Sequence, residues 1–209
     1  MENCRKILQQ GIQELAIPVN DNALELILTF IRMIEKWNKA YNLTAIKNRE
    51  DMACLHILDS LTVLPFIKGS QIADIGTGAG LPGIPLAIYL PDVEFTLVDS
   101  NSKKTRFVQQ VVLELKLKNV NILHQRVEDM SAETVFSTVI MRALANLQDI
   151  MQLTRHLMNT QSILLAMKGK RPDEELASMT IPYSIIPLKI PGVETERCLI
   201  QIQGFANNG

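Results

Sequence analysis

The stretch Asp74-Ile-Gly-Thr-Gly-Ala-Gly-Leu-Pro-Gly83 decides the fold. A short apolar run over residues 72–75 leads into it, and residues 82–90 have a helical pattern. Glycines in such a loop let the backbone turn sharply and let a ligand approach closely. Open α/β sheets bind ligands at the carboxyl ends of their strands. The stretch therefore predicts a strand, a ligand-binding loop and a helix.

Strand and helix patterns alternate from residue 71 to the end of the chain. The predicted strands cover residues 72–75, 94–99, 120–123, 138–141, 162–167, 183–189 and 197–203. The predicted helices between them cover residues 82–90, 103–116, 147–158 and 173–179. This alternation indicates a Rossmann-like α/β fold with a twisted, mostly parallel seven-stranded sheet and helices on both faces. The last two strands lack an intervening helix, which predicts an antiparallel C-terminal hairpin at a sheet edge.

The first 65 residues have helical patterns only. Apolar residues at helical spacing predict helices over residues 4–15, 21–37 and 50–64, with Asn20 or Asp21 capping the second and Pro65 ending the third. We therefore predict a helical N-terminal cap, residues 1–65, on an α/β core, residues 66–209, that forms one compact unit.

Composition narrows the possible functions. The 209 residues carry a formal net charge of −1, so contacts with nucleic acid would have to come from local basic patches. The three cysteines are widely spaced and suggest neither a disulfide framework nor a metal site. No signal peptide or run of membrane-spanning length is visible. We expect a cytoplasmic monomer without a metal or a membrane partner.

The second predicted strand ends in Asp99, 23 residues after Gly76. This spacing suits a carboxylate that binds both ribose hydroxyls of a nucleoside cofactor. Residues 78–83 formally fit the dinucleotide pattern, but Pro82 and Pro85 remove two amide donors that a pyrophosphate would need. S-adenosylmethionine fits better because it has no phosphate, and its cationic groups favour a nearby carboxylate such as Asp74.

Several further motifs occur in an order that is typical of one family. They are Trp37-Asn-Lys-Ala-Tyr-Asn-Leu-Thr44, His56-Ile-Leu-Asp-Ser60, the glycine stretch, Leu97-Val-Asp-Ser100, Arg126-Val-Glu128, Arg142-Ala143 and Lys168-Gly169. With these motifs the chain resembles the bacterial small-subunit rRNA methyltransferase G family, also called glucose-inhibited division protein B, from about residue 30 to 203. It departs from the family pattern at Met141, where Ser is more usual, and at Leu55, where a basic residue is common.

The resemblance implies transfer of a methyl group to N7 of a guanine in the decoding region of 16S rRNA, with free 16S rRNA, a precursor particle or the mature small ribosomal subunit as the substrate. It also implies cofactor contacts at Gly76, Leu81, Val127, Glu128 and Arg142. Together with the residues of the glycine loop and the second strand, the predicted cofactor-binding set is Asp74, Gly76, Gly78, Leu81, Asp99, Val127, Glu128 and Arg142.

Guanine N7 has an in-plane lone pair, so methylation there needs positioning of the reactants rather than a general base. Arg142 would position the guanine or touch the cofactor, since arginine pairs with acceptors such as guanine O6; the alternative is a surface cation at a strand end. No Asn/Asp-Pro-Pro-aromatic motif and no Pro-Cys nucleophile follows the fourth strand, which disfavours amino-group and C5 methylation.

Four other residues are candidates for RNA contact. Lys168, Lys170 and Arg171 follow the fifth strand and would meet phosphates, with a solvated loop as the alternative. His56 would position substrate or form a hydrogen bond with Asp59 three residues on. Trp37 and Tyr41 are expected to brace a helix end against the core, with stacking on an RNA base as the alternative. Two other functions remain open at this point: an NAD-type oxidoreductase, and a non-catalytic RNA-binding or ribosome-assembly module.

Overall fold

The computed structural model describes residues 1–142 and 146–204. Over these residues the chain forms a seven-stranded sheet in the order β3-β2-β1-β4-β5-β7-β6. The strands are β1 (Gln71–Ile75), β2 (Glu94–Asp99), β3 (Val120–His124), β4 (Thr138–Arg142), β5 (Ile163–Lys168), β6 (Tyr183–Leu188) and β7 (Arg197–Gln203).

Strands β1 to β5 are parallel, and β1 lies between β2 and β4. The chain thus leaves β1 at the point where the strand order reverses, which is where open α/β sheets bind ligands. Strand β7 pairs antiparallel with β5 on one side and with β6 on the other. The predicted C-terminal hairpin at a sheet edge is therefore confirmed, with β6 outermost and the start of β7 beside the end of β5.

The helices are α1 (Glu2–Glu14), α2 (Asp21–Tyr41), α3 (Arg49–Met52), α4 (Asp59–Leu61), α5 (Gly83–Tyr89), α6 (Ser102–Leu115), α7 (Leu147–Thr154) and α8 (Asp173–Ala177). A π-helical turn, Ala53–Leu58, joins α3 to α4, and short 3₁₀ turns occur at Leu64–Phe66, Val127–Asp129 and Arg155–Leu157.

Alternate residues of the strands face two separate hydrophobic clusters, as a pleated sheet requires. On one face, Ile72 and Leu97 pack with α5 and α6. On the other face, Ala73 and Val98 pack with α7 and α8. Helices therefore cover both faces of the sheet, and the strands read as nearly continuous apolar runs because both of their sides are buried.

The N-terminal helices belong to the first of these clusters. Leu8 of α1 and Ile31 of α2 are fully buried in the same cluster as Phe107 of α6. Trp37 stacks on Tyr41 with ring centroids 5.2 Å apart, and it also lies 5.7 Å from Phe107. The expectation that these aromatic residues brace a helix end against the core is confirmed. The boundary between a cap and a core near residue 65 stays a prediction.

Two of the N-terminal helices differ from the sequence-based prediction. Helix α2 continues to Tyr41 instead of ending near Trp37, and Asn42 follows it in the left-handed conformation. The predicted single helix over residues 50–64 is interrupted by the π-helical turn Ala53–Leu58. π-helical turns are rare and often occur at functional sites. Within the described ranges, no helix is long and apolar enough to cross a membrane.

The end of α5 depends on one buried side chain. The Asn119 amide donates to the carbonyls of Ala87, Leu90 and Val93 at 3.0 to 3.1 Å. We expect Asn119→Ala to lower the free energy of unfolding by about 2 kcal/mol, because buried polar groups left unsatisfied cost about 1–3 kcal/mol. Urea denaturation measures this change. Asn121→Ala, on the exposed side of β3, is the control and should stay within about 0.5 kcal/mol of the wild type; equal effects of both variants would contradict the prediction.

Candidate active site

The carboxyl ends of β3, β2, β1 and β4 bring most of the predicted cofactor residues to one edge of the sheet. The turn Val127–Asp129 follows β3, Asp99 ends β2, the glycine loop follows β1, and Arg142 ends β4. This spatial order places residues that are distant in sequence side by side. The matching motif residue Ala143 lies outside the described residues.

The glycine loop is held by strand β2. The amides of Gly76 and Thr77 both donate to the carbonyl oxygen of Val98, at 2.8 and 3.0 Å. Gly76 and Gly78 have φ values of +69° and +61°, a region that residues with a Cβ rarely adopt. A Cβ built on Gly78 would have only one atom within 4 Å, the Gly76 carbonyl oxygen at 3.8 Å. The loop therefore leaves open space beside Gly78.

Asp74 is fully buried under this loop. Its Oδ2 accepts hydrogen bonds from the Thr77 hydroxyl at 2.7 Å and from the Gly83 amide at 2.8 Å. Its Oδ1 is buried and has no hydrogen-bond partner among the described residues. Burial raises the pKa of Asp74 to about 6, against the lowering effect of those hydrogen bonds and of the Arg142 charge. A buried acceptor of this kind is suited to a cationic or hydrogen-donating ligand.

Asp99 is held in a fixed orientation at the end of β2. Its Oδ2 accepts from the Gly78 amide at 2.9 Å, and its Oδ1 accepts from the Asn101 amide at 2.8 Å. The Lys104 ammonium lies 3.9 Å from Oδ2. Each carboxylate oxygen has two acceptor positions, so both retain capacity for a further donor such as a hydroxyl.

The first turn of α5 is poorly suited to a pyrophosphate. The Gly83 amide donates to Asp74, the Ile84 amide donates to the Gly80 carbonyl at 2.8 Å, and Pro85 has no amide hydrogen. A dinucleotide-binding helix needs amides of its first turn to face the phosphates. The geometry of this turn therefore disfavours a dinucleotide cofactor and supports one without phosphate.

For three of the predicted cofactor residues, the position of the side chain gives no direct support for a cofactor contact. Leu81 is 4% exposed, its side chain lies in the core, and its amide donates to the Thr77 carbonyl. Val127 is buried beneath the turn after β3, whereas Glu128 in the same turn is exposed. Cofactor contacts at Leu81, Val127 and Glu128 remain predictions.

Arg142 does not point freely into solvent. Its guanidinium Nη1 lies 3.4 Å from the Asp59 carboxylate and 3.4 Å from the Leu55 carbonyl oxygen. A second arginine, Arg197 at the start of β7, places its Nε 3.4 Å from the other oxygen of Asp59. The Asp59 side chain is only 6% exposed. Desolvation raises the pKa of Asp59 above its usual value, against the lowering effect of the two arginines.

Arg142, Asp59 and Arg197 line a cavity of about 260 Å³ at the ends of β4 and β5. Its other walls are formed by Ile46, Leu55, His56, Met167, Lys168, Gly169, Leu188 and Cys198. Arg142 thus belongs to a pocket rather than to an isolated strand end.

His56 is buried beside this cavity and does not pair with Asp59. Its Nε2 lies 2.8 Å from the Thr44 hydroxyl, and its Nδ1 donates to the Leu55 carbonyl at 3.2 Å. The predicted hydrogen bond between His56 and Asp59 is therefore wrong. The three-residue spacing brings side chains together on an α-helix, whereas here it runs through the wider π-helical turn.

The basic residues after β5 are partly engaged with acidic neighbours. The Lys168 ammonium is 2.9 Å from Glu175, whose carboxylate also accepts from the Leu147 amide at 2.8 Å. Lys170 and Arg171 are exposed, and Arg171 pairs with Asp173 at 2.6 Å. Lys168 thus links β5, α7 and α8, and phosphate contacts by these three basic residues remain predictions. The described residues contain no group of three or more His, Cys, Asp or Glu arranged to hold a metal ion.

Sequence reasoning missed Arg197, Thr77 and the Leu55 carbonyl. Arg197 reaches the site only because β7 inserts between β5 and β6, and no local pattern reveals that insertion. The Leu55 carbonyl is a backbone group and has no sequence signal. Thr77 lies inside the glycine stretch, where a hydroxyl three residues after a buried carboxylate was a usable signal.

The fold is that of the Rossmann-like methyltransferases. A solved magnesium protoporphyrin IX methyltransferase from Synechocystis with bound S-adenosylmethionine is similar with a TM-score of 0.57 and 14% identity, over 90% of this chain and 99% of that one. A ribosomal protein L11 methylase from Lactobacillus delbrueckii is similar with a TM-score of 0.54 and 13% identity, over 77% and 81% of the two chains. At these identities the likeness concerns the fold alone.

Sequence comparison narrows the class further. The chain belongs to the rRNA small subunit methyltransferase G family, whose family model matches residues 23–199. A ribosomal RNA small subunit methyltransferase G from Legionella pneumophila is 44% identical over 198 residues, which cover 95% of this chain and 94% of the relative. One of the same name from Stutzerimonas stutzeri is 44% identical over 198 residues, with 92% of each chain covered.

The burial of His56 gives a pH-dependent prediction. Desolvation and the nearby Arg142 charge lower the pKa of His56 to about 4 in the folded chain. In the unfolded chain a histidine takes up its proton near pH 6.5, so acid favours unfolding. We expect the wild type to lose about 2 kcal/mol more stability between pH 7 and pH 5 than His56→Gln does. Urea denaturation at the two pH values measures this difference.

The matched control is His124→Gln, at the exposed end of β3. This variant should keep the pH dependence of the wild type. An NMR titration of the wild type in which the His56 ring titrates near pH 6.5 would contradict the prediction.

Proposed function

We propose that this chain transfers a methyl group from S-adenosylmethionine to N7 of a guanine in the decoding region of 16S rRNA. Two relatives at 44% identity carry the name of ribosomal RNA small subunit methyltransferase G, and the family motifs imply this reaction. The structural observation that carries the proposal is the buried Oδ1 of Asp74, which lacks a partner among the described residues, beneath a glycine loop with open space at Gly78.

The residues at this edge fit the proposed cofactor. Asp74 would accept from the cofactor's ammonium group, directly or through a water, because its Oδ1 lacks a partner in the described protein and its charge is favourable there. Asp99 would accept from the two ribose hydroxyls with the acceptor capacity that its two backbone hydrogen bonds leave. The backbone at Gly78 would allow a close approach. Contacts by Gly76, Leu81, Val127, Glu128 and Arg142 complete the proposed binding set.

When bound, the cofactor supplies a methyl group on a cationic sulfur. The guanine N7 lone pair is unprotonated at neutral pH, so the chain is not required to remove a proton. Its task is to hold the guanine in line with the methyl group, and well-oriented reactants can gain about 7–11 kcal/mol from such positioning. Arg142, at the end of the strand beside the glycine loop, is the residue that we assign to orient the guanine, through a hydrogen bond to O6.

Docking of the RNA is assigned to exposed cations beside the pocket. Lys170 and Arg171 follow β5, and the cavity at Arg142 lies next to the same strand end. Contacts of these side chains with phosphates would orient the RNA without reading its sequence. A 16S rRNA substrate also implies that the enzyme acts in the cytoplasm, and we propose that it does so as a monomer.

The proposed reaction is tested by methyl transfer from labelled S-adenosylmethionine to small ribosomal subunits that lack the modification, and to free 16S rRNA, with the modified base mapped. We expect label at N7 of one guanine in the decoding region. Arg142→Ala should reduce kcat/KM by about 100-fold, because misplaced reactants cost about two orders of magnitude. Arg106→Ala, an exposed arginine of α6, should leave the rate unchanged.

Each other result of this assay points elsewhere. Cofactor binding without label would send the search to other substrates. The absence of both cofactor binding and label would favour a non-catalytic RNA-binding or assembly module. Binding of NAD in place of S-adenosylmethionine would favour an oxidoreductase.

Cofactor binding gives a separate prediction for Asp99. We expect Asp99→Ala to weaken the binding of S-adenosylmethionine by about 10- to 100-fold, because a hydrogen bond to a charged group contributes about 1.5–3 kcal/mol. Isothermal titration calorimetry measures the affinity. Asp92→Ala, in the exposed turn before β2, should bind as the wild type does, and an unchanged affinity of Asp99→Ala would remove Asp99 from the site.

A further inference from the structure

The cavity beside Arg142 has the chemistry of a pocket for one flat polar base. Its volume of about 260 Å³ is below the about 300–1,000 Å³ that is usual for small-molecule clefts, so it suits a base better than a larger ligand. Ile46, Leu55, Met167 and Leu188 give it apolar walls. Enzymes that act on an extruded base hold its faces between apolar side chains and read its edge with hydrogen bonds.

A donor and an acceptor stand next to each other in this cavity. Arg142 supplies the donor and Asp59 the acceptor, and their Nη1 and Oδ2 atoms lie 3.4 Å apart. Among the described residues that line the cavity, Asp59 alone carries a carboxylate. Its side chain is held from the other side by Arg197, 3.4 Å from Oδ1. The charges of both arginines favour the carboxylate form of Asp59 against the desolvation that raises its pKa, and a carboxylate accepts hydrogen bonds only.

Guanine likewise presents acceptors next to donors along one edge. N7 and O6 are neighbouring acceptors, and N1–H and the N2 amino group next to them are donors. In the protein, Arg142 ends β4 beside the end of β1, and its guanidinium contacts Asp59. The donor of Arg142 and the neighbouring acceptor of Asp59 thus complement O6 and the N1–H and N2 amino donors of guanine.

We propose that Asp59 is the residue that selects guanine, by accepting hydrogen bonds from the N1–H and the N2 amino group while Arg142 donates to O6. This inference rests on the proposed function, because it assumes that a guanine enters this cavity. Adenine carries a donor where guanine has O6 and an acceptor at N1. It would therefore place a donor against Arg142 and an acceptor against the Asp59 carboxylate, which leaves buried groups unpaired.

The experiment compares guanosine with inosine at the target position in the wild type, in Asp59→Asn and in a control variant. The target guanosine is replaced by inosine, which lacks only the N2 amino group, in semi-synthetic 16S rRNA assembled into small subunits. Methyl transfer from labelled S-adenosylmethionine is measured as kcat/KM for the wild type and for Asp59→Asn. Comparison of the guanosine-to-inosine ratio between the enzymes cancels the intrinsic difference in N7 reactivity. Asp51→Asn, an exposed residue of α3, is the matched control.

We expect the wild type and Asp51→Asn to prefer guanosine by about 10- to 100-fold, the effect of a lost hydrogen bond to a charged group. In Asp59→Asn the preference should shrink to a few-fold. A variant that keeps the full preference would overturn the proposal, because Asp59 would then act only by supporting the fold.

One arm of the test does not depend on the variant, since loss of Asp59 could unfold a chain with two arginines around it. The wild type should methylate RNA with inosine or N1-methylguanosine at the target much more slowly than RNA with guanosine. Equal rates on all three overturn the proposal and leave the proposed function standing. Absence of label on guanosine itself defeats the proposed function instead.

Discussion

The site depends on one buried carboxylate. Asp74 sits at the end of the central part of the sheet and accepts hydrogen bonds from the Thr77 hydroxyl and the Gly83 amide. These two bonds connect β1, the glycine loop and the first residue of α5. A Cβ on Gly83 would lie 2.6 Å from Asp74 Oδ2 and 2.9 Å from Leu97, so this close approach requires glycine. Desolvating the carboxylate is costly, and the loop geometry partly offsets that cost.

The N-terminal helices also contribute to the site at the carboxyl edge of the sheet. Helices α1 and α2 share a hydrophobic cluster with α5 and α6, and the π-helical turn after α3 brings Leu55 and Asp59 to Arg142. The helical segment thus supplies a wall of the cavity and a charged partner, besides apolar cover for one face. Removing it would expose the cluster and would also release Arg142.

Much of the fold followed from the sequence, and less of the site did. The cap of α2, which was expected at Asn20 or Asp21 and is formed by Asn20, and the strand over residues 94–99 were predictable because capping and apolar patterns are local. The glycine stretch and Asp99 were predictable because a spacing along the chain fixes their distance on the sheet edge. Arg197 was not, because its place depends on strand order. The partners of His56 and Asp59 were not, because a π-helical turn has no sequence signature that separates it from an α-helix.

The π-helical turn also sets the rotational phase of everything around it. An α-helix advances about 100° per residue and the wider π-helical turn advances less, so the turn takes up an extra residue while the side chains on either side keep their faces. The six residues Ala53–Leu58 make about the same rotation as five residues of a regular helix, so loss of one of them would leave α3 and α4 close to their present relative orientation. Straightening the turn into a regular helix with all of its residues kept would instead rotate α4 relative to α3 by about 100° and would carry Asp59 away from Arg142.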